Sequence, residues 1–213
     1  MSIIFSEVKK MKKHMTFIPM LALLLTITIS NIGTVVGDGV QLDRLRGSVL
    51  RLHIIANSDS DEDQRLKLCV RDELLRRGDE LFECSDDLED AEACASGKLP
   101  EIKEIAENVL RENGCNDKVD AEIVDMMFDE RTYGDITMPA GNYRALRITI
   151  GEAKGHNWWC VMYPPLCIPA VCGVRDDASV ERRYFSPRER DILHKPKKYR
   201  IRFAVWDKIR SLF

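Results

Sequence analysis

The chain lacks most of the signatures that would announce a chemistry. Its seven cysteines stand at 69, 84, 94, 115, 160, 167 and 172 with no Cys-x-x-Cys pair among them, which removes the usual spacing of a structural zinc site. There is no Gly-rich phosphate loop and no internal repeat, so neither a P-loop nucleotide site nor a solenoid is expected. Residues 38–181 carry a formal balance of −14 and have no concentration of positive charge. A phosphate backbone needs one, so nucleic acid is excluded as a partner. No cofactor is implied.

What is present is the composition of a folded protein: 213 residues, 45% hydrophobic and 31% charged. That is enough for one sizeable core or two small ones. The net charge of −3 hides a division of the chain, because residues 182–213 hold eleven Lys and Arg against three acids, a balance of +8.

At the N-terminus Lys9, Lys10, Lys12 and Lys13 precede an uncharged run from Met15 to Ile29, followed by small residues at Ser30, Gly33 and Gly37. This is the layout of a secretory signal peptide, with Val35 and Gly37 small enough to precede a cut although no strict Ala-x-Ala occurs. A buried core helix would show polar residues every third or fourth position. Uncut, the stretch to Gly37 is about the length that spans a hydrocarbon core and would anchor an exported chain. The expected organisation is therefore a signal peptide or anchor over 1–37, an exported acidic domain over 38–181 and a basic tail over 182–213. Export permits disulfides, and an odd number of cysteines leaves at least one thiol unpaired or bonded to another chain.

Leu50, Leu52 and Ile54 alternate with Arg51, His53 and Ile55, a period of two that predicts a strand across 48–57. Ser58, Asp59 and Ser60 then offer N-cap oxygens. Ser60 with Asp63 resembles a capping box, and Asp61, Glu62 and Asp63 suit the positive end of a helix running to about Arg77. A second helix is expected from Pro100, with Ile102, Ile105, Ala106, Val109 and Leu110 on one face and Gly114 as its stop. Period two returns over 119–128 and 143–150, with the breaker Met138-Pro139-Ala140-Gly141 between. The order β, α, α, β, β predicts a single α+β domain, a mixed sheet with packed helices. Asp79 to Glu92 holds eight acids and no base, the pattern of a solvated face.

Two segments carry a likeness to a known family: LRLHIIANSDSDEDQRLKLCVRDELL over 50–75, and PAGNYRALRITIGEAKGHNWWCVMYPPLC over 139–167. Their His-x-x-Ala-Asn-Ser-Asp-Ser, Asn-Trp-Trp-Cys and Pro-Pro-Leu-Cys elements resemble the stage II sporulation protein R family. The resemblance implies a non-enzymatic signal of sporulating bacteria. Such a protein is made in the forespore and exported into the space between the forespore and mother-cell membranes. It there triggers a membrane-embedded aspartic protease, stage II sporulation protein GA, which processes the sigma-E precursor. Cys160 and Cys167 belong to the family motif; Cys69, Cys84, Cys94, Cys115 and Cys172 have no place in it.

Several residues are candidates for function. Asn57, Ser58, Asp59, Ser60 and Asp61 form a polar turn between a strand and a helix, a good place for partner recognition. It could also be read as a cation loop, but it lacks the Gly and bidentate Glu of an EF-hand, and helix capping explains it. Trp158, Trp159 and Tyr163 are either a core corner, closed by a Cys160–Cys167 disulfide, or a binding patch. If the backbone there is extended, the two Trp point to opposite sides. Alternatives to signalling are a secreted cysteine hydrolase using Cys160 with His53 and Asn57, and an envelope structural protein. In the tail, Ile201, Val205, Ile209 and Leu212 share a helical face that could pack on the domain or lie on a membrane surface.

Overall fold

The computed structural model describes residues 2–82, 88–164 and 178–212. The chain divides into two compact units, one of Leu42–Lys198 and the other of Met1–Gln41 with Tyr199–Phe213.

The larger unit is built on a four-stranded sheet of β1 (Leu50–Ile55), β2 (Val119–Phe128), β5 (Gly141–Ile150) and β6 (Asn157–Tyr163), in the order β2-β5-β1-β6. β1 runs parallel to β5 and antiparallel to β6, while β2 and β5 are antiparallel neighbours, so the sheet is mixed. The short strands β3 (Arg131–Tyr133) and β4 (Ile136–Met138) form a separate hairpin in the link from β2 to β5. An α+β fold with a mixed sheet and packed helices is the architecture that the alternation of periods predicted.

One sheet face presents Leu50, Leu52 and Ile54 of β1 beside Leu146 and Ile148 of β5, in register Leu52 with Leu146 and Ile54 with Ile148. Against it pack α2 (Asp61–Arg76), the short α3 (Gly78–Phe82), α4 (Leu88–Gly97) and α5 (Leu99–Glu112), between whose Leu66, Val70, Leu74, Leu81, Ala95, Ile102, Ala106 and Leu110 the core closes. Burying each of the Leu, Ile and Val side chains among them stabilises by about 1.5–3 kcal/mol. α5 starts with Pro at its first turn, as its sequence predicts, and its buried face is Ile102, Ile105, Ala106 and Leu110.

The second sheet face is also covered. The alternation in β1 suggests a half-exposed strand, yet Arg51 is fully buried and His53 is 3% exposed. The cover includes the β3–β4 hairpin, whose Tyr133 hydroxyl reaches Arg51. α7 (Pro187–His194), which follows α6 (Ala178–Tyr184), packs on β4 and buries Ile192 and Leu193. These two short helices belong to the larger unit, so only the last part of the basic segment that starts at Arg182 lies outside it.

The smaller unit consists of most of α1 (Ser2–Arg46) and most of α8 (Pro196–Arg210). From Pro19 onward α1 is long and apolar enough to cross a membrane, and its Met20, Leu23, Leu25, Ile29 and Ile32 are exposed.

Candidate functional site

The two family-like segments meet at one corner of the larger unit, where the end of β1 turns into α2 beside the β5–β6 connection. β1 ends because the polar run Asn57-Ser58-Asp59-Ser60 satisfies its own backbone with side chains. Ser60 caps α2 by accepting from the Asp63 N–H at 3.1 Å. The expected capping box is only half made. Instead of returning to Ser60, the Asp63 carboxylate accepts from Asn57 Nδ2 at 3.1 Å and Ser58 Oγ at 2.5 Å, and the Ser60 N–H donates to Ser58 Oγ. These bonds, the Ser58 hydroxyl foremost, hold the Asp63 carboxyl below the usual carboxylate range.

This turn is locked to the second segment. Asn57 Oδ1 accepts from the Glu152 N–H at 2.9 Å, and the carbonyls of Ala56 and Asn57 accept from the N–H groups of Gly155 and Lys154 at 3.0 Å. Gly151 has φ +58°, and a Cβ there would strike the Asn57 side chain, while one on Gly155 would strike the Ser58 carbonyl. Both positions therefore need glycine. Asp59 Oδ1 accepts from the His156 N–H at 2.6 Å and lies 2.5 Å from the His156 ring Nδ1. The His156 backbone N–H, more than the ring, keeps the Asp59 carboxyl low. From α2, Lys67 Nζ donates to the His156 carbonyl at 2.8 Å and to Gln64. Asp59, Ser60 and Asp61 remain exposed on the rim.

The carboxylates of Asp59 and Asp63 are thus directed at partners within the protein, which is capping and bracing chemistry instead of a cation loop. A different group comes close to ligand geometry: His194 at the end of α7 has Nε2 2.8 Å from Glu181 and Nδ1 3.4 Å from Asp135 in the β3–β4 turn. Those residues lie too far apart in sequence to be recognised there.

The aromatic motif is distributed and does not form a single patch. β6 is extended, so Trp158 and Trp159 project from opposite faces. Trp158 is paired in register with Ile54 on the helix-covered side, beneath the Arg71 guanidinium at 4.4 Å. Trp159 stacks on His53 with centroids 3.9 Å apart and 5° between planes, and meets Phe128 edge-on. Tyr163 is 4% exposed, with its ring edge-on to Tyr184. Burial takes Tyr163 out of any surface patch.

The same alternation dismantles the hydrolase reading. Cys160 stands opposite Leu52 and belongs to the helix-side core, whereas His53 stands opposite Trp159 and belongs to the other face. Thiol and imidazole cannot share a proton through the sheet. Cys160 is, moreover, held in a disulfide, as is Cys94, while Cys69 and Cys115 are free. The expected Cys160–Cys167 pairing falls on a residue outside the described ones. Asn57, the third member, is fully occupied in bracing the corner.

No local sequence signal announces the cage around Arg51. Its Nε donates to the Cys160 carbonyl at 2.9 Å and its Nη2 to the Tyr133 hydroxyl at 2.8 Å. Its Cζ lies 4.3 Å from the Phe128 ring centre and 5.1 Å from that of Tyr143. Burial lowers the Arg51 pKa and raises that of Tyr143 to about 12.

Comparison with known proteins places these features in a family. The model of the family described as stage II sporulation protein R matches residues 46–172, which include both segments of the corner. The stage II sporulation protein R of Bacillus subtilis (strain 168) is 41% identical over 118 residues, covering 55% of this chain and 53% of that protein. The chain thus spans about half the length of the curated relative it matches. No solved structure matches it. With its β1–α2 corner, its second motif and its whole four-stranded sheet inside the matched region, the chain belongs to the stage II sporulation protein R family.

Proposed function

We propose that this chain is a sporulation signal: made in the forespore, exported by its N-terminal segment, and active between the two membranes. There it binds the extracytoplasmic part of a membrane-embedded aspartic protease, stage II sporulation protein GA, so that the sigma-E precursor is cleaved in the mother cell. Its action is a shift in the conformation or association of that protease and not covalent chemistry. Residues 1–37 act as the signal peptide or anchor, residues 38–181 as the exported acidic domain, and residues 182–213 as a basic tail. The observation that carries this reading is the family match across residues 46–172. The candidate span in α1, directly before that region, supports export.

The contact face is the β1–α2 corner, where Asn57 and Ser58 are braced from behind while Asp59, Ser60 and Asp61 stand exposed, with the half-buried Trp158 alongside; Trp159 faces the other side of the sheet and stands apart from it. Co-expression of this chain with the protease and the sigma-E precursor in a host that does not sporulate tests the activity. Cleavage that depends on this chain is expected; cleavage that is indifferent to it would leave an envelope role. An Asp59→Ala, Asp61→Ala variant that folds normally is expected to lose most of the cleavage, and full cleavage by it removes the corner from the contact.

A further inference from the structure

Exposed large apolar side chains among the described residues concentrate in two places, α1 and α8. Within the smaller unit these helices touch. Arg202 Nη1 of α8 is 2.5 Å from Asp38 Oδ2 of α1, which is 1% exposed, and the Trp206 ring covers Gly39 so closely that a Cβ there would overlap it. Both contacts lie immediately beyond the apolar stretch that ends at Gly37. Met15 to Gly37 as helix is roughly 35 Å long, about a bilayer's hydrocarbon thickness. Asp38 and Gly39 therefore stand where such a span leaves the bilayer, and α8 is held at that level.

The exposed side of α8 suits the location. Ile201, Val205 and Ile209 recur at helical spacing on one face, continued by Leu212 in the turn after Arg210, and are 80%, 44%, 38% and 71% exposed. Lys197, Arg200, Lys208 and Arg210 are exposed around them, with Asp207 as the one acid between Pro196 and Arg210. An apolar stripe bordered by cations is matched to acyl chains beneath anionic headgroups.

We propose that α8 is an interfacial helix that lies on the anionic membrane surface from which α1 emerges, and that it keeps the protein there after the leader is removed. This rests on the export reading above. Both residues that α8 grips, Asp38 and Gly39, lie on the retained side of a cut after Gly37. Removal of the span then converts a permanent anchor into a reversible one, and the signal stays concentrated at the membrane.

The test uses two forms of the protein. The chain starting at Asp38, exported and oxidised, is floated with vesicles of phosphatidylcholine alone or mixed with phosphatidylglycerol, and the full chain in nanodiscs of the same lipids is followed by hydrogen exchange. Binding only to phosphatidylglycerol vesicles, weakened by salt, and protection of residues 199–212 only in the anionic nanodiscs are expected. Val205→Glu with Ile209→Glu should reduce vesicle binding at least ~10-fold without altering circular dichroism, and should remove the protection. Equal binding of this variant, equal binding to both lipids, no binding at all, or a wild-type dimer that the substitutions dissociate would each overturn the proposal. Protease activation in the co-expression assay is read separately, so a native chain that activates the protease yet binds no vesicles rejects the interfacial helix alone.

Discussion

His53 is the residue whose chemistry is most altered by the fold. Burial first, and the nearby Arg147 charge second, push its pKa down from 6.5 to about 4, and neither ring nitrogen has a hydrogen-bond partner among the described residues. A base whose folded pKa is depressed is protonated earlier in the unfolded chain. Stability from this group is therefore complete above about pH 6.5 and is lost as pH falls towards about 4. Over that window the loss is on the order of 3 kcal/mol. Glu73, held at about 2 by Arg76 and then Arg77, contributes its own loss only below the ordinary carboxylate range. Urea unfolding midpoints from pH 7 to 4.5 should fall for the native chain and much less for His53→Phe, which keeps a ring against Trp159; parallel slopes would refute the assignment.

Arg51 sets a second test at this scale. Its guanidinium bonds the Cys160 carbonyl and the Tyr133 hydroxyl. Truncation removes a donor from the Cys160 carbonyl and from the Tyr133 hydroxyl, which keeps its own bond to the Trp159 carbonyl, and leaves a cavity beside Phe128 and Tyr143, so Arg51→Ala should cost about 3–5 kcal/mol. Arg51→Met fills the space with an apolar chain and should cost distinctly less. Denaturant titration of the pair decides whether the cation or merely its volume organises the second face.

Among the elements, those that bury one face were legible in the sequence. β1, β2 and β5 alternate, and α2 and α5 repeat at helical spacing, because each meets solvent on one side or packs polar partners there. β6 is not legible as a strand, since Trp158-Trp159-Cys160-Val161-Met162-Tyr163 is apolar on both sides and has no period to detect. The hairpin strands β3 and β4 are three residues each, too short for a pattern. The corner itself was partly legible: the polar turn and its cap were evident, but its bracing by Glu152, Lys154, Gly155 and His156 depends on a pairing of β1 with β6 that no local signal reveals. Two substitutions separate cap from brace. Ser60→Ala should cost about 1 kcal/mol through the lost N-cap bond. Gly155→Ala, forced against the Ser58 carbonyl, should cost on the order of 1–3 kcal/mol. Thermal unfolding measures both. If the brace orders the recognition turn, only Gly155→Ala should also weaken protease activation beyond what its stability loss explains.

For the whole molecule, the compartment and the fold make a joint demand. Cys94 and Cys160 are disulfide-bonded in the larger unit, and Cys160 lies in its core beside Leu52 and Met162. A chain that folds in a reducing cytosol forgoes this bonding, and a disulfide is worth about 2–4 kcal/mol in a typical case, a large share of the 5–15 kcal/mol that keeps a domain folded. On the export proposed above, the oxidising compartment would supply a folding condition as well as an address. Protein recovered from an oxidising compartment should show lower thiol reactivity than protein made without residues 1–37 in the cytosol, and a higher midpoint in urea. Adding reductant to the oxidised form should bring the two midpoints together. Cys69 and Cys115 are free, and burial raises the Cys115 thiol pKa, so its labelling should remain slow near neutral pH in the folded chain. Cys160→Ser then separates stability from chemistry: it should lower the midpoint yet activate the protease fully at a temperature where it is folded. An inactive but folded Cys160→Ser protein would mean that the sulfur at this position serves the signal directly, and the reading of this chain as a protein that acts by contact alone would have to be given up.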